Sequence, residues 1–317
     1  MDTFYFIVQQ TMFFSIPLLI VALGGMFSER SGVVNIALEG IMVMGAFLGI
    51  FFINIFQDSM SGQGLLIFAI LISGIAGMVF AAFHAYASIN MKADQIISGT
   101  ALNMFAPAFA IFVARMIQNV HQIPFNDTFH IDSIPVLSSI PIIGGMLFEN
   151  VYITTYLGFA IFVLAAFLLY KTRFGLRLRS CGEHPQAADT VGINVFKIRY
   201  AGVLISGFLA GVGGLVFVVP TSTNFNASVA GYGFLALAVL IFGQWNPKRI
   251  LLAALFFGIM KTFASTYSGI WFLRSLPISN EIYKMIPYIA TLIVLTVSSK
   301  TLQVPKALGE PYDKGMR

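Results

Sequence analysis

The sequence predicts an all-α polytopic membrane protein with about nine transmembrane helices, in a range of about 8–10. Three observations support this fold class. Apolar residues make up 58% of the 317 residues, and charged residues make up only 10%, against roughly 25% in soluble domains. Uncharged runs of about 20 residues, enough to cross the hydrocarbon core of a bilayer, recur along the chain. A β-barrel would instead show ~10-residue segments of alternating polarity.

Hydropathy and loop composition place the predicted spans in order along the chain. They cover residues 4–27, 33–56, 64–90, 96–116, 151–170, 200–219, 230–245, 250–270 and 281–298. The seventh is short and follows the polar stretch PTSTNFN, so it is also compatible with half of a broken helix. Glycines four residues apart in the second and sixth spans, Gly45 with Gly49 and Gly207 with Gly211, predict close helix packing.

The distribution of basic residues predicts the orientation of the chain. The segment at residues 171–199 carries Lys and Arg repeatedly, whereas the loop at residues 118–150 carries neither. By the positive-inside rule the first is cytoplasmic and the second is external. Alternation of the spans then puts the N-terminus outside and the tail, residues 299–317, inside. The whole chain, residues 1–317, is predicted to form a single transmembrane domain.

The stretch SERSGVVNIALEG places charges in a region that is otherwise apolar. Its first part, residues 28–31, is a predicted cytoplasmic turn in which charge costs little, and one of its serines is expected to cap the second helix. Glu39 differs, because counting from Val33 puts it about 9 Å into the apolar layer. An acidic group at that depth either lines a pathway or bonds to a neighbouring helix and fixes its packing.

The predicted cytoplasmic segment contains GEHPQAADTVGINV, which indicates a short helix outside the bilayer. Pro185 suits the first turn of such a helix, and Gly192 suits the position just after its end. Ala187, Ala188 and Val191 are expected to share a small, mildly apolar face. Because so short a helix is not stable alone, we expect it to pack either against a docking soluble protein or against the membrane domain of the same chain.

Four segments together resemble the permease subunits of bacterial ABC importers, in the branched-chain amino acid and ribose permease superfamily, and within it the branch that imports nucleosides. The segments are SERSGVVNIALEGIMVMGA, GEHPQAADTVGINV, GYGFLALAVLIFGQWNP and PYIATLIVL, spread over residues 28–295. The resemblance implies a fold similar to type II importers and a coupling helix that contacts an ATPase. The coupling-helix residues are Gly182, Glu183, His184, Pro185, Ala187, Ala188, Asp189, Val191 and Gly192.

The resemblance also implies the partners and cofactors. ATP and Mg²⁺ are expected on a separate cytoplasmic ATP-binding subunit, and none in this chain, which contains no G-x-x-x-x-G-K-[ST] phosphate loop. A second, non-identical permease and an external substrate-binding lipoprotein are the other expected partners, with no role for nucleic acid. The expected location is the bacterial cell membrane, in which the chain makes several passes.

Polar side chains inside the predicted spans are candidates for the translocation path, with helix packing as the alternative for each. The candidates are Asn35, Glu39, Asn103 and Lys261. No metal site is predicted, since His121 and His130 with Asp127 and Asp132 are better explained by a hydrated loop. Two rival functions are open: a stand-alone ion-coupled transporter or channel, and an ABC permease for a simple sugar. A membrane-embedded enzyme would need a catalytic cluster that the sequence does not offer.

Overall fold

The computed structural model describes residues 2–126, 129–135, 137–141, 143–266, 279–298 and 304–314. The helices are α1 (Asp2–Arg30), α2 (Leu38–Phe56), α3 (Gln63–Ala85, followed by a π-helical turn at Tyr86–Asn90), α4 (Gln95–Gln118), α5 (Ile143–Leu147), α6 (Ile153–Lys171), α7 (Arg173–Glu183), α8 (Pro185–Thr190), α9 (Val195–Thr221), α10 (Tyr232–Phe242), α11 (Pro247–Thr266) and α12 (Asn280–Ser298). The strands are short: β1 (Ile123–Pro124), β2 (His130–Ser133), β3 (Glu149–Tyr152) and β4 (Asn224–Phe225).

Seven helices of the described chain are long and apolar enough to cross a membrane: α1, α2, α3, α4, α6, α9 and α11. The predicted seventh span forms α10, an apolar helix of only 11 residues. The prediction of a polytopic helical membrane protein is confirmed, whereas the count of nine spans stays a prediction. Parts of the predicted segments lie outside the described residues, namely residues 127–128, 136, 142, 267–270, 299–303 and 315–317.

The second span begins later than predicted, because residues 32–37 are not helical. The serines before them do not cap α2. Ser28 Oγ donates to the Val33 carbonyl (2.8 Å), and Ser31 Oγ donates to the Ser28 carbonyl (2.6 Å). The depth obtained for Glu39 by counting helix residues from Val33 is therefore wrong, since Glu39 lies in the first turn of α2.

The helix α9 forms the centre of the fold, and α1, α2 and α3 pack around it. Glycines allow this close approach: a Cβ on Gly211 would overlap the Ser73 carbonyl of α3, and a Cβ on Gly45 of α2 would overlap Gly211. Ser73 Oγ also donates to the Gly211 carbonyl (2.7 Å). The predicted close packing of the glycine-bearing spans is confirmed, and it brings the non-helical residues 32–37 against α9.

One face of the molecule gathers the segments that are rich in Lys and Arg, and we call it the basic face. It contains the end of α1, the α7–α8 loop, the turn between α10 and α11, and the tail at residues 304–314. Contacts join these segments directly: Lys92 Nζ lies 2.6 Å from Asp313 Oδ2, and the Ala307 amide donates to the Gly182 carbonyl (2.9 Å). The segments predicted to share the cytoplasmic side therefore lie together.

The opposite face gathers the segments that were predicted to be external. There β1 pairs with β4 and β2 pairs with β3, both antiparallel. Gln9 Nε2, near the N-terminal end of α1, donates to the Gly145 carbonyl in the same region (2.8 Å). The N-terminal end of α1 and the tail thus lie on opposite faces.

Candidate functional site

The helices α7 and α8 form an exposed loop on the basic face. Thr172 caps α7 by accepting the Gly175 amide (3.2 Å). Pro185 is the first residue of α8, and Gly192, just beyond its end, has a φ of 83°. The predicted start and stop of the short helix are both confirmed. His184 occupies the N-cap position of α8 without a side-chain capping bond.

The short helix α8 has an inner and an outer side. Ala188 is 3% exposed and packs in a cluster that includes Cys181 and Tyr312. Ala187 lies on the outer side, and Val191, just after the helix, is 75% exposed. An open groove of about 310 Å³ between α8 and the end of α7 is lined by Ala187, Ala188 and Val191 together. The three residues therefore share one face, on which Ala188 is the buried member.

The tail holds this loop from the side of the membrane domain. Its Ala307 amide bonds to the Gly182 carbonyl, and its Glu310 carbonyl accepts from Arg199 Nη1 (2.8 Å), a guanidinium that is only 1% exposed. Tyr312 completes the cluster beneath α8 and lines, with Asp189 and Gly192, a second cavity of about 280 Å³. Sequence reasoning missed the tail, because most of its contacts use backbone atoms.

The last turn of α1 is packed against this loop. Glu29 is only 6% exposed, and its Oε2 accepts the indole N–H of Trp245 (2.6 Å). Arg30 donates to the Trp245 carbonyl and places Nη1 3.7 Å from Glu183 Oε1. The prediction that these charges lie in a turn where charge costs little is therefore wrong for Glu29.

Glu39 lies where two helices begin. Its Oε1 accepts the Gly231 amide (2.9 Å) and its Oε2 accepts the Gly233 amide (2.6 Å) at the start of α10. Gly233 packs so closely that a Cβ there would overlap the Glu39 backbone. Because the unpaired N–H groups at a helix start favour negative charge, the half-buried carboxylate joins α2 to α10.

Asn35 and Asn103 support the non-helical residues 32–37. Asn35 is fully buried and donates to Ser206 Oγ of α9 (2.9 Å). Asn103 donates to the Ile36 carbonyl (2.9 Å) and accepts the Gly40 amide (2.7 Å). The side-chain nitrogen and oxygen of Asn103 therefore both bond to backbone groups that have no helical partner, because the chain is not helical at residues 32–37.

Two further side chains that sequence reasoning did not select complete this support. Gln95 Oε1 accepts the Val34 amide (2.7 Å), and His84 Nε2 lies 2.8 Å from the Val34 carbonyl. A backbone group inside a membrane protein must be satisfied by protein when no helix partner exists. The interrupted segment is thus held from α3, α4 and α9 together.

Lys261 of α11 lies at the start of α10. Its Nζ is 5.7 Å from the ring centroid of Tyr232, the first residue of that helix. Within the described chain no carboxylate lies within 4.0 Å of this ammonium group. The structure therefore brings Glu39 and Lys261 to the same helix end, while Asn35 and Asn103 hold the segment that leads into α2.

Metal ligands are not grouped in the part of the chain that the structure describes, where no set of three His, Cys, Asp or Glu side chains could hold an ion. His130 Nδ1 contacts Asp132 (3.2 Å), and His121 contacts Arg115. Asp127, the fourth residue of the His and Asp set considered in the external loop, lies outside the described residues.

The chain matches, over residues 7–295, the family described as "Branched-chain amino acid transport system / permease component". It belongs to this permease family. The match confirms the resemblance drawn from the sequence motifs, and it makes the chain a multi-pass membrane permease of the ABC transporter class. It decides against a stand-alone ion-coupled transporter or channel.

Individual relatives of the permease are similar along nearly its whole length. The nucleoside ABC transporter permease protein NupC of Lactococcus lactis is 42% identical over 99% of this chain and 98% of its own. The guanosine ABC transporter permease protein NupQ of Bacillus subtilis is 44% identical over 98% and 97%. NupB, a nucleoside ABC transporter permease protein also of L. lactis, is 27% identical over 78% and 69%. No solved structure matches the chain.

Proposed function

We propose that this permease forms half of the translocation path of an ATP-driven importer that brings nucleosides into the bacterial cell. The observation that carries this proposal is the similarity, over almost the full length of both chains, to permeases named for nucleosides and for guanosine. The similarity covers 98% or more of this chain, so it is not confined to one segment of the membrane domain.

ATP hydrolysis belongs, in this proposal, to a separate cytoplasmic subunit that also holds Mg²⁺. The α7–α8 loop is the coupling element, and the ATPase docks on its outer side. The exposed Ala187 and Val191 and the adjoining groove support this assignment, since a short helix with an open groove beside it can accept a partner surface.

The second permease of the importer is proposed to be a different chain. Two distinct permeases of L. lactis are both named nucleoside ABC transporter permease proteins, and this chain is much more similar to one of them than to the other. An external lipoprotein is proposed to deliver the substrate to the opposite face.

The basic face is proposed to be cytoplasmic, with the N-terminus outside, the tail inside and about nine passes between them. The gathering of the basic segments on one face supports this orientation. Glu39 and Lys261 are proposed to border the path at the start of α10. Asn35 and Asn103, which bond to other parts of the chain, are proposed to shape the path from behind.

Uptake by the reconstituted importer tests the proposed substrate. We expect the permease, with the subunits that co-purify with it, to drive ATP-dependent uptake of labelled guanosine in proteoliposomes. Unlabelled nucleosides in excess should compete, whereas ribose and glucose should not. Transport of glucose or ribose without any nucleoside uptake would contradict the proposal and favour the simple-sugar alternative.

A further inference from the structure

The turn between α10 and α11 adopts a backbone conformation that needs external support. Gln244 and Trp245 are consecutive non-glycine residues with φ values of 48° and 53°. Side chains other than glycine rarely adopt this left-handed region, and they keep it only where surrounding contacts hold the backbone in place. The structure shows which contacts hold this turn.

The support comes from the last turn of α1. Trp245 is 3% exposed, its indole N–H donates to Glu29, and its carbonyl accepts two bonds from Arg30, from Nε (3.3 Å) and from Nη2 (3.1 Å). No cation lies within 4.0 Å of the Glu29 carboxylate in the described part of the chain. The indole is therefore the hydrogen-bond partner of Glu29, and the turn is held by Glu29 and Arg30 together.

The same arginine contacts the coupling loop. Arg30 Nη1 lies 3.7 Å from Oε1 of Glu183, the last residue of α7, which only His184 separates from α8. The neighbouring Gly182 touches the backbone of Arg30 so closely that a Cβ at this position would overlap the Arg30 carbonyl. Arg30 thus contacts both the α7–α8 loop, through Glu183, and the turn after α10, through Trp245.

The helix α10 connects this turn to the candidate path. It has 11 residues, so it is about 16 Å long. Its far end is bonded through two amides to Glu39, and its near end leads into Trp245. A short helix fixed at both ends moves as one body, because packed elements shift between discrete arrangements rather than deforming continuously.

We propose that Arg30 is a positioning residue that transmits displacement of the α7–α8 loop to α10, and through α10 to the Glu39 end of the path. The hydrogen bond between Glu29 and Trp245 stabilises the turn between α10 and α11 in the conformation in which the Trp245 carbonyl accepts from Arg30. The inference rests on the proposed function in one respect, namely that a separate ATPase subunit moves α8 when it binds ATP.

Hydrogen exchange at the far end of α10 tests this transmission without any substrate. In the purified complex, binding of ATP and Mg²⁺ should change the exchange rates of the Gly231 and Gly233 amides. We expect Arg30→Gln to reduce that change about tenfold, the factor that corresponds to losing one charge-assisted hydrogen bond. Arg173→Gln is the matched control, since it removes an exposed cation from the start of α7, and it should respond like the wild type.

A conservative variant covers the case in which Arg30→Gln fails to assemble. Arg30→Lys keeps the positive charge beside Glu183, but an ammonium group lacks the planar fork that reaches the Trp245 carbonyl and the carboxylate together. We expect this variant to retain the ATPase subunit and ATP hydrolysis while its exchange response and its uptake per ATP both fall. A wild-type exchange response in the Arg30→Lys complex would overturn the inference.

The two proposals fail in different ways. An ATP-dependent exchange response that is present in the wild-type complex and reduced in the Arg30→Lys complex, with no nucleoside uptake by either, would contradict the proposed substrate and support the transmission. A complex that takes up nucleosides equally well with Arg30 or with Lys at this position, and with the same exchange response, would contradict the transmission and support the proposed function.

Discussion

At the scale of single residues, Glu39 illustrates how an acidic group is accommodated inside a membrane domain. Its two oxygens accept two backbone amides at the start of α10, so the charge lies where a helix end supplies positive partial charge. The sequence left two roles open, pathway lining and helix packing. The observed bonds provide the packing contact. The pathway role remains a proposal, which is supported by the position of Lys261 near the same end of α10.

Replacement of Glu39 tests both roles. In Glu39→Gln the side chain keeps one carbonyl oxygen, and its NH₂ group would face a backbone N–H, so one bond is lost. We expect the complex to lose ~2 kcal/mol of stability and most of its uptake, measured by thermal unfolding and by labelled-nucleoside transport. Asp132→Asn, at a fully solvated position on the opposite face, serves as the control. Wild-type stability and uptake in Glu39→Gln would exclude both roles.

At the scale of secondary-structure elements, α8 shows why a helix of six residues persists. An isolated helix of this length is not stable in water. Here Pro185 and Ala188 are buried, and the tail closes the cluster beneath the helix through Tyr312. These buried residues pack within this chain, and the exposed residues of the helix are open to a partner.

Two neighbouring alanines of α8 separate folding from docking. Ala187→Arg adds a bulky charge on the outer side, so we expect a normally folded permease that no longer co-purifies with the ATPase subunit. Ala188→Arg forces the same side chain into the inner cluster, where overpacking costs ~1–3 kcal/mol and an unpaired buried charge adds to that cost. We expect it to lower the thermal stability of the permease itself.

The outcome for Ala187→Arg is decisive for the coupling role. Retention of the ATPase and of ATP-driven uptake in that variant would mean that α8 only covers the surface of its own membrane domain. The same substitution at Ala188 cannot make this distinction, because a folding defect would also remove the ATPase.

At the scale of the whole molecule, the two faces allow the orientation to be tested with cysteines. In a Cys181→Ala background, Asp132→Cys should react with an impermeant maleimide in intact cells, and Arg173→Cys should react only after the cells are permeabilised. Both native side chains are exposed, and Arg173 lies outside the groove proposed for the ATPase. The reverse labelling pattern would place the basic face outside and overturn the proposed topology.

The native cysteine is unsuitable as a reporter of sidedness. Cys181 is fully buried, and burial raises the pKa of its thiol to about 11. A raised pKa keeps the thiol protonated at neutral pH, and the thiolate is the form that reacts with maleimide. Absence of labelling at Cys181 would therefore be expected on either side of the membrane.

The sequence by itself determined the features that depend on local composition. Continuous apolar runs predicted the long helices. A segment inside the hydrocarbon layer must satisfy its backbone hydrogen bonds within itself, and a helix does so. Pro185 and Gly192 marked the ends of α8, since proline lacks an amide donor and glycine tolerates a positive φ. The basic segments were expected on one side, and the structure gathers them on one face.

Only the tertiary structure decided how the non-helical residues 32–37 and the short helix α8 are stabilised. Gly32, with a φ of 97°, is a local sign of a break after α1, but it does not determine where the next helix begins. The backbone groups of residues 32–37 are satisfied by Gln95, Asn103 and His84 from distant helices. Which side of α8 faces inward depends on the tail. Hydropathy and helical spacing describe only neighbours along the chain, whereas these bonds join groups that meet only after the helices pack.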